Sequence, residues 1–180
     1  MGRPAVNEIL PFLHLGAISL YQDPEAEFFA RQKVDLIINV TKEKGFETPY
    51  SIVQQTPMTV RLSVLDKNTE ADTVLDALPA LADLIHSYVS RSKHVLVHCQ
   101  HGLQRSATVV VAYIRRHRRD MYTPQVITNH WTGQDYLDKS IEFVKQKRPD
   151  IFGGSTPGKE YMNFKRALKT FDKNLYEAGQ

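Results

Sequence analysis

His94-Val95-Leu96-Val97-His98-Cys99-Gln100-His101-Gly102-Leu103-Gln104-Arg105-Ser106-Ala107-Thr108-Val109-Val110-Val111-Ala112-Tyr113-Ile114 is the stretch whose reading decides the fold. Its first part, His94 to His98, is a short apolar run of the kind that forms a strand buried on both faces. Its last part opens a segment, Ser106 to His117, that is apolar nearly all round and predicts a buried helix. Between them lies only a short loop. In such a loop before a helix N-terminus, backbone N–H groups can converge on one point, and the helix dipole adds positive potential there. The loop is an anion cradle by geometry.

Working outward, Val34 to Val40 and Thr59 to Leu65 read as two more buried strands. Helical patterns separate them. Asp23 with Pro24 is placed to open a first helix, followed by Phe28 and Phe29. Asp72 is placed to cap a second, with a stripe of Leu75, Leu78, Leu81, Ile85, Tyr88 and Val89. Strands alternating with helices predict an α/β fold, a mostly parallel central sheet flanked by helices. After the cradle the chain reads as helical. Thr123-Pro124 and Thr156-Pro157 each look like a cap followed by Pro, and Tyr161, Phe164, Leu168 and Phe171 share one face of the last helix. One domain over residues 1–172 is expected, with 173–180 as a frayed tail.

Composition sets the outer bounds. The chain has 180 residues, 42% of them hydrophobic, enough for one ordinary core. A net charge of +3 suits an anionic substrate and suits a solvated basic surface equally well. No apolar run is long enough to span a membrane, and no signal-peptide core is present at Met1. Met1-Gly2 opens like a myristoylation site, but Val6 stands where Ser or Thr is required. A single cysteine excludes an internal disulfide and fits a reducing compartment, so a cytoplasmic protein is expected, with the nucleus also open.

That single cysteine opens the cradle. A thiol near a helix N-terminus and cations is driven toward thiolate, the nucleophilic form, so Cys99 is the candidate nucleophile. Arg105 closes the loop, and its planar fork can bind two phosphate oxygens where a Lys could not. Gly102 lets the backbone turn its amides inward. Gln100, His101, Gly102, Leu103, Gln104 and Arg105 form the expected phosphate-binding loop, with His101 placed to touch a substrate. A buried structural cysteine would explain Cys99 alone, but not the Arg at the far end of the loop. The other histidines show no zinc-site spacing. Arg115-Arg116-His117-Arg118-Arg119, at a helix C-terminus, reads as solvated charge that complements the helix dipole, with a docking patch as the sharper alternative.

His-Cys-x5-Arg-Ser resembles the signature of the protein tyrosine phosphatase superfamily, and His98 to Ser106 with Ala107-Thr108 and Ala112-Tyr113-Ile114 is similar to its dual-specificity branch. Glu8-Ile9-Leu10 through Leu13-His14-Leu15-Gly16 resembles that family's N-terminal strand and turn. Val34 to Thr41 resembles its strand-Asn-Val-Thr segment, and Lys147-Arg148-Pro149 its Arg-Pro after the penultimate helix. The likeness covers most of residues 7–171. It implies a general acid in a second loop, and Asp66, after the strand Val60 to Leu65, stands there. A leaving oxygen needs a proton, and parallel strands ending on one edge would bring Asp66 to Cys99. The resemblance further implies a phosphocysteine intermediate, Ser106 bonded to the departing sulfur, and His98 ordering the loop. No metal and no cofactor are expected.

The sequence departs from the family in two places. The family's Pro-Asn after Arg-Pro, whose Asn supports the loop, is replaced by Asp150-Ile151-Phe152-Gly153-Gly154. The segment around His130-Trp131-Thr132-Gly133 is also longer than usual. Two other readings compete with a phosphoprotein substrate. His101-Gly102-Leu103 resembles the RNA 5′-triphosphatase branch, although Gln104, Ser106-Ala107 and Asp66 favour protein. A non-catalytic phosphopeptide-binding module would need a damaged site, whereas Cys99, Arg105 and Asp66 are all present. A short chain has little sequence for a deep phosphotyrosine-only pocket, so phosphotyrosine and phosphoserine/threonine are both expected. A membrane partner is not expected, and monomer and homodimer are both compatible.

Overall fold

A computed structural model of the chain describes residues 4–21, 27–42, 57–117, 135–153 and 163–180. Five strands, β1 (Val6–Leu10), β2 (Leu13–Ala17), β3 (Leu36–Asn39), β4 (Met58–Arg61) and β5 (Val95–Cys99), form one sheet in the order β1-β2-β5-β3-β4. Strand β1 runs antiparallel to β2, and every other pairing is parallel. The expected mostly parallel sheet flanked by helices is present. The helices are α1 (Glu27–Arg31), α2 (Ala71–Val89), α3 (Arg105–His117), α4 (Tyr136–Lys147) and α5 (Lys165–Glu177).

The central strand β5 is buried along its whole length, as its unbroken apolar run requires. Alternation along the strand divides its side chains between two cores. Val95, Val97 and Cys99 join Leu13, Leu15, Leu36 and Ile38 in the larger core, with α2, α3 and α5. Leu96 joins Ile37, Leu20, Tyr21 and Phe29 in the smaller one on the opposite face. Each fully buried apolar side chain of this kind contributes roughly 1.5–3 kcal/mol. Helix α3 is buried from Arg105 through Arg115, in keeping with its nearly uniform apolar surface. Because β2, β3 and β5 run parallel, their C-terminal ends share one edge, and Cys99 lies on it.

Several elements differ from expectation. Strand β4 stops at Arg61 rather than Leu65, because its partner β3 stops at Asn39 and the last rung is Leu62 N–H to Asn39 O, 2.9 Å. Helix α2 follows a 3-10 turn over Asn68–Glu70, so Glu70 occupies the N-cap position and Asp72 lies in the first turn, paired with Arg166 at 2.9 Å. The tail is not frayed from 173. Helix α5 continues to Glu177, Leu175 is buried, and Gln180 N–H reaches Leu175 O at 2.9 Å.

Phe164, Leu168 and Phe171 are buried as their spacing predicts. Asp23-Pro24, Thr123-Pro124, Trp131 and its neighbours, Gly154, Thr156-Pro157 and Tyr161 lie outside the described residues. Among the described residues, no helix is long and apolar enough to cross a membrane.

Candidate active site

Strand β5 delivers Cys99 to the mouth of the loop before α3. Its Sγ accepts two hydrogen bonds, from Gly102 N–H at 3.2 Å and from the Ser106 hydroxyl at 3.1 Å. The carbonyls of the loop are taken up from outside. Ile18 N–H holds Gln100 O at 3.1 Å and Phe152 N–H holds Leu103 O at 3.0 Å. The buried Arg148 guanidinium holds His101 O at 3.2 Å and Gly102 O at 2.8 Å. In a trans peptide the carbonyl and the following N–H point in opposite directions. Four carbonyls anchored outward therefore aim the N–H groups of His101, Gly102, Leu103 and Gln104 inward. The Gly102 bond to sulfur is one of them. Such a ring of amides at a helix start is suited to an anion with several oxygens.

Arg148 is itself held by Pro4 O at 3.1 Å and Asn7 Oδ1 at 2.5 Å, which ties the N-terminal strand to the loop. Phe152 donates its N–H from the left-handed region, φ 54°. Together these two residues support the loop from behind, where the family pattern has an Asn. The sequence marked Arg148 only as part of a matching dipeptide, and Phe152 only as part of the stretch that departs from the family's Pro-Asn; it assigned Phe152 no role, because the useful group is main chain.

Arg105, 1% exposed, sends Nη1 to Val64 O at 3.1 Å. This bond draws the β4–α2 loop to the cradle, and Asp66 lies two residues beyond it. Asn163, just before α5, donates from Nδ2 to both Asp66 O at 2.9 Å and Asp66 Oδ1 at 2.7 Å. Sequence reasoning missed Asn163; a lone Asn outside any motif carries no signal. Cys99 and Ser106 are thus joined directly, and Arg105, at the start of α3, links the cradle to the Asp66 loop through Val64. His101 is exposed at the rim, while Gln104 is buried and its carbonyl accepts Thr108 N–H in the first turn of α3.

His98, fully buried, faces away from the cradle. Its Nε2 lies 3.0 Å from Tyr21 Oη, and Tyr21 stacks on Phe29 with centroids 5.4 Å apart. Burial pushes the His98 pKa down to about 4, opposed by a backbone hydrogen bond to Cys99 and assisted by the Arg61 charge. It is a neutral imidazole near pH 7, and it orders the end of β5.

The described part of the basic run, Arg115, Arg116 and His117, is paired with carboxylates rather than left as free solvated charge. Arg115 is completely buried and paired with Asp172, and its guanidinium lies 5.1 Å over the Tyr136 ring. Arg116 and His117 both bond Asp83 of α2, at 2.7 and 2.8 Å. Arg118 and Arg119 lie outside the described residues.

Residues 18–173 match the family model described as the dual specificity phosphatase catalytic domain. A protein of invertebrate iridescent virus 6 named as a tyrosine phosphatase, 123R, is 35% identical over 136 residues, covering 76% of this chain and 78% of its own. Human dual specificity protein phosphatase 1 is 32% identical over 146 residues, 80% of this chain. The match takes in only 33% of that human protein. The crystal structure of human DUSP28 superposes with a TM-score of 0.69 at 25% identity, covering 97% of each chain. The strand-loop-helix around Cys99, the sheet that carries it and the match over residues 18–173 agree, and the chain belongs to the dual-specificity phosphatase family.

Proposed function

We propose that this protein hydrolyses phosphotyrosine and phosphoserine/threonine on proteins through a phosphocysteine intermediate. The observation that carries the reading is the sulfur of Cys99, bonded by Gly102 N–H and the Ser106 hydroxyl inside a loop whose carbonyls from Gln100 to Leu103 are anchored outward. The phosphoryl oxygens would take the inward amides and the Arg105 fork. Cys99 Sγ attacks phosphorus, the bond to the leaving oxygen breaks, and Asp66 gives that oxygen its proton. Asp66, now a carboxylate, takes a proton from water as the water oxygen attacks phosphorus. The S–P bond breaks, inorganic phosphate leaves, and Ser106 donates to the departing thiolate. Neutral His98 transfers no proton; it holds the strand that presents Cys99. The lone thiol supports placement in the cytoplasm, where it stays reduced.

Purified protein offered a phosphotyrosine peptide, a phosphothreonine peptide and a 5′-triphosphate RNA should release phosphate from both peptides. The Cys99→Ser variant should release none. Release from RNA alone would overturn the protein-substrate reading, and activity surviving Cys99→Ser would overturn the nucleophile.

A further inference from the structure

We propose that Asn163 is a positioning residue that selects which oxygen of Asp66 carries the proton, and that it matters most for phosphothreonine and phosphoserine. The proposal rests on the assignment of Asp66 as general acid. Both groups facing the Asn163 amide, Asp66 O and Asp66 Oδ1, accept hydrogen bonds. The atom turned toward them is therefore the NH2 group. One amide nitrogen thus holds the backbone and the carboxyl of the same residue, at 2.9 and 2.7 Å. That fixes the carboxyl's rotation as well as its place.

A protonated carboxyl accepts hydrogen bonds best through its carbonyl-type oxygen and donates through the other. With Oδ1 committed to Asn163, the proton belongs on Oδ2, the oxygen left to face a leaving group. As that proton departs, negative charge grows on the carboxylate, and the bond from Asn163 strengthens into a charge-assisted one. An interaction that is stronger in the transition state than before it raises the rate of the chemical step. Its value grows with the extent of proton transfer. The phenol of tyrosine, with a pKa of about 10, needs less proton transfer in the transition state than an aliphatic alkoxide, which is far more basic and needs the proton in full. A clamp on the proton donor is therefore a device for accepting phosphothreonine.

The anchoring around it supports the same view. Val64 O, two residues before Asp66, is fixed by the buried Arg105 at 3.1 Å, so the acid loop is anchored on the side of the cradle. Asn163 touches the carboxyl itself.

The test compares kcat/KM for wild type, Asn163→Ala, Asn163→Asp, Asp66→Asn and the Asp66→Asn/Asn163→Ala double variant. The substrates are a phosphothreonine peptide, a phosphotyrosine peptide and 4-nitrophenyl phosphate, whose leaving group needs no proton. Asn163→Ala should lose about tenfold on phosphothreonine, less on phosphotyrosine, and no more than about twofold on nitrophenyl phosphate. Asn163→Asp, which keeps the size but removes the donor, should show the same order of losses. In the Asp66→Asn background the Asn163 change should add nothing. Equal losses on all three substrates, or a further loss in the double variant, would overturn the clamp. If Asp66→Asn itself treats the three substrates alike, the assignment of Asp66 has failed, and the clamp falls with it.

Discussion

At Gly102 the chain has no room for a side chain. Its φ is 66°, and a Cβ there would lie 2.5 Å from Gly16 O, 2.8 Å from Gly16 C and 2.9 Å from Arg148 Nη2. Two of the three obstacles are backbone of the neighbouring strand, which cannot swing aside. Gly102→Ala should therefore cost about 2–3 kcal/mol in a urea titration, from the strained φ and the clash together. The more telling readout is vanadate binding, since pushing the loop off Gly16 also turns the Gly102 amide away from Sγ. A variant that melts early yet binds vanadate normally would show that the amide is not held by this contact. Arg148 makes a different point about single residues. Its three nitrogens serve Gly102 O, His101 O, Pro4 O and Asn7 Oδ1, a fan that a lysine ammonium cannot reproduce. Arg148→Lys keeps the charge, so a loss of kcat/KM on the order of a hundredfold would report the lost geometry of the oxyanion donors. Near-wild-type turnover would mean that the Ile18 and Phe152 amides can hold the loop without the guanidinium.

Among the elements, β5 and α3 were legible in the sequence because both are buried on all sides, so their composition is nearly uniform and their boundaries are sharp. The loop between them was legible for a chemical reason, the fixed spacing of Cys99 and Arg105. The other elements depended on neighbours that no local pattern reveals. The end of β4 is set by the end of β3, and the start of α2 by a 3-10 turn that displaces Asp72 from the cap. Asn163 and the Phe152 amide reach the site from distant parts of the chain. Helix α5 shows the same limit. Arg115 reads as one charge in a solvated run, yet it is buried against Asp172, with Nη1 and Nη2 each 3.4 Å from Gln180 O. Removing one partner of such a pair leaves the other poorly solvated. Arg115→Ala should therefore lower the free energy of unfolding by about 3 kcal/mol, read as a shifted denaturation midpoint, while leaving the kcat/KM of the folded fraction unchanged. An unaltered midpoint would show that α5 is held by its apolar face alone.

For the molecule as a whole, two buried histidines couple stability to pH. His14, on β2, has Nε2 3.2 Å from His94 Nδ1, and burial, helped by the His94 charge, pushes its pKa down to about 4. His98 is also pushed down to about 4, chiefly by burial. In the unfolded chain both return to about 6.5. Between those values the unfolded state binds protons that the folded state refuses, so stability rises with pH across this window. The contribution is complete above pH 6.5, drains away as the pH falls toward 4, and is flat below. A gap of roughly 2.5 units amounts to about 3 kcal/mol for each histidine, a large share of the roughly 5–15 kcal/mol that holds a domain together. Asp83, held below its usual 3.8 chiefly by the Arg116 hydrogen bond, acts lower in the scale and leaves this window to the histidines. Urea titrations at pH 7, 6, 5 and 4.5 should show the free energy of unfolding falling steadily. His14→Gln, which cannot be protonated, should remove about half of that slope. If the slope in His14→Gln equals that of the wild type, the acid sensitivity belongs to other groups.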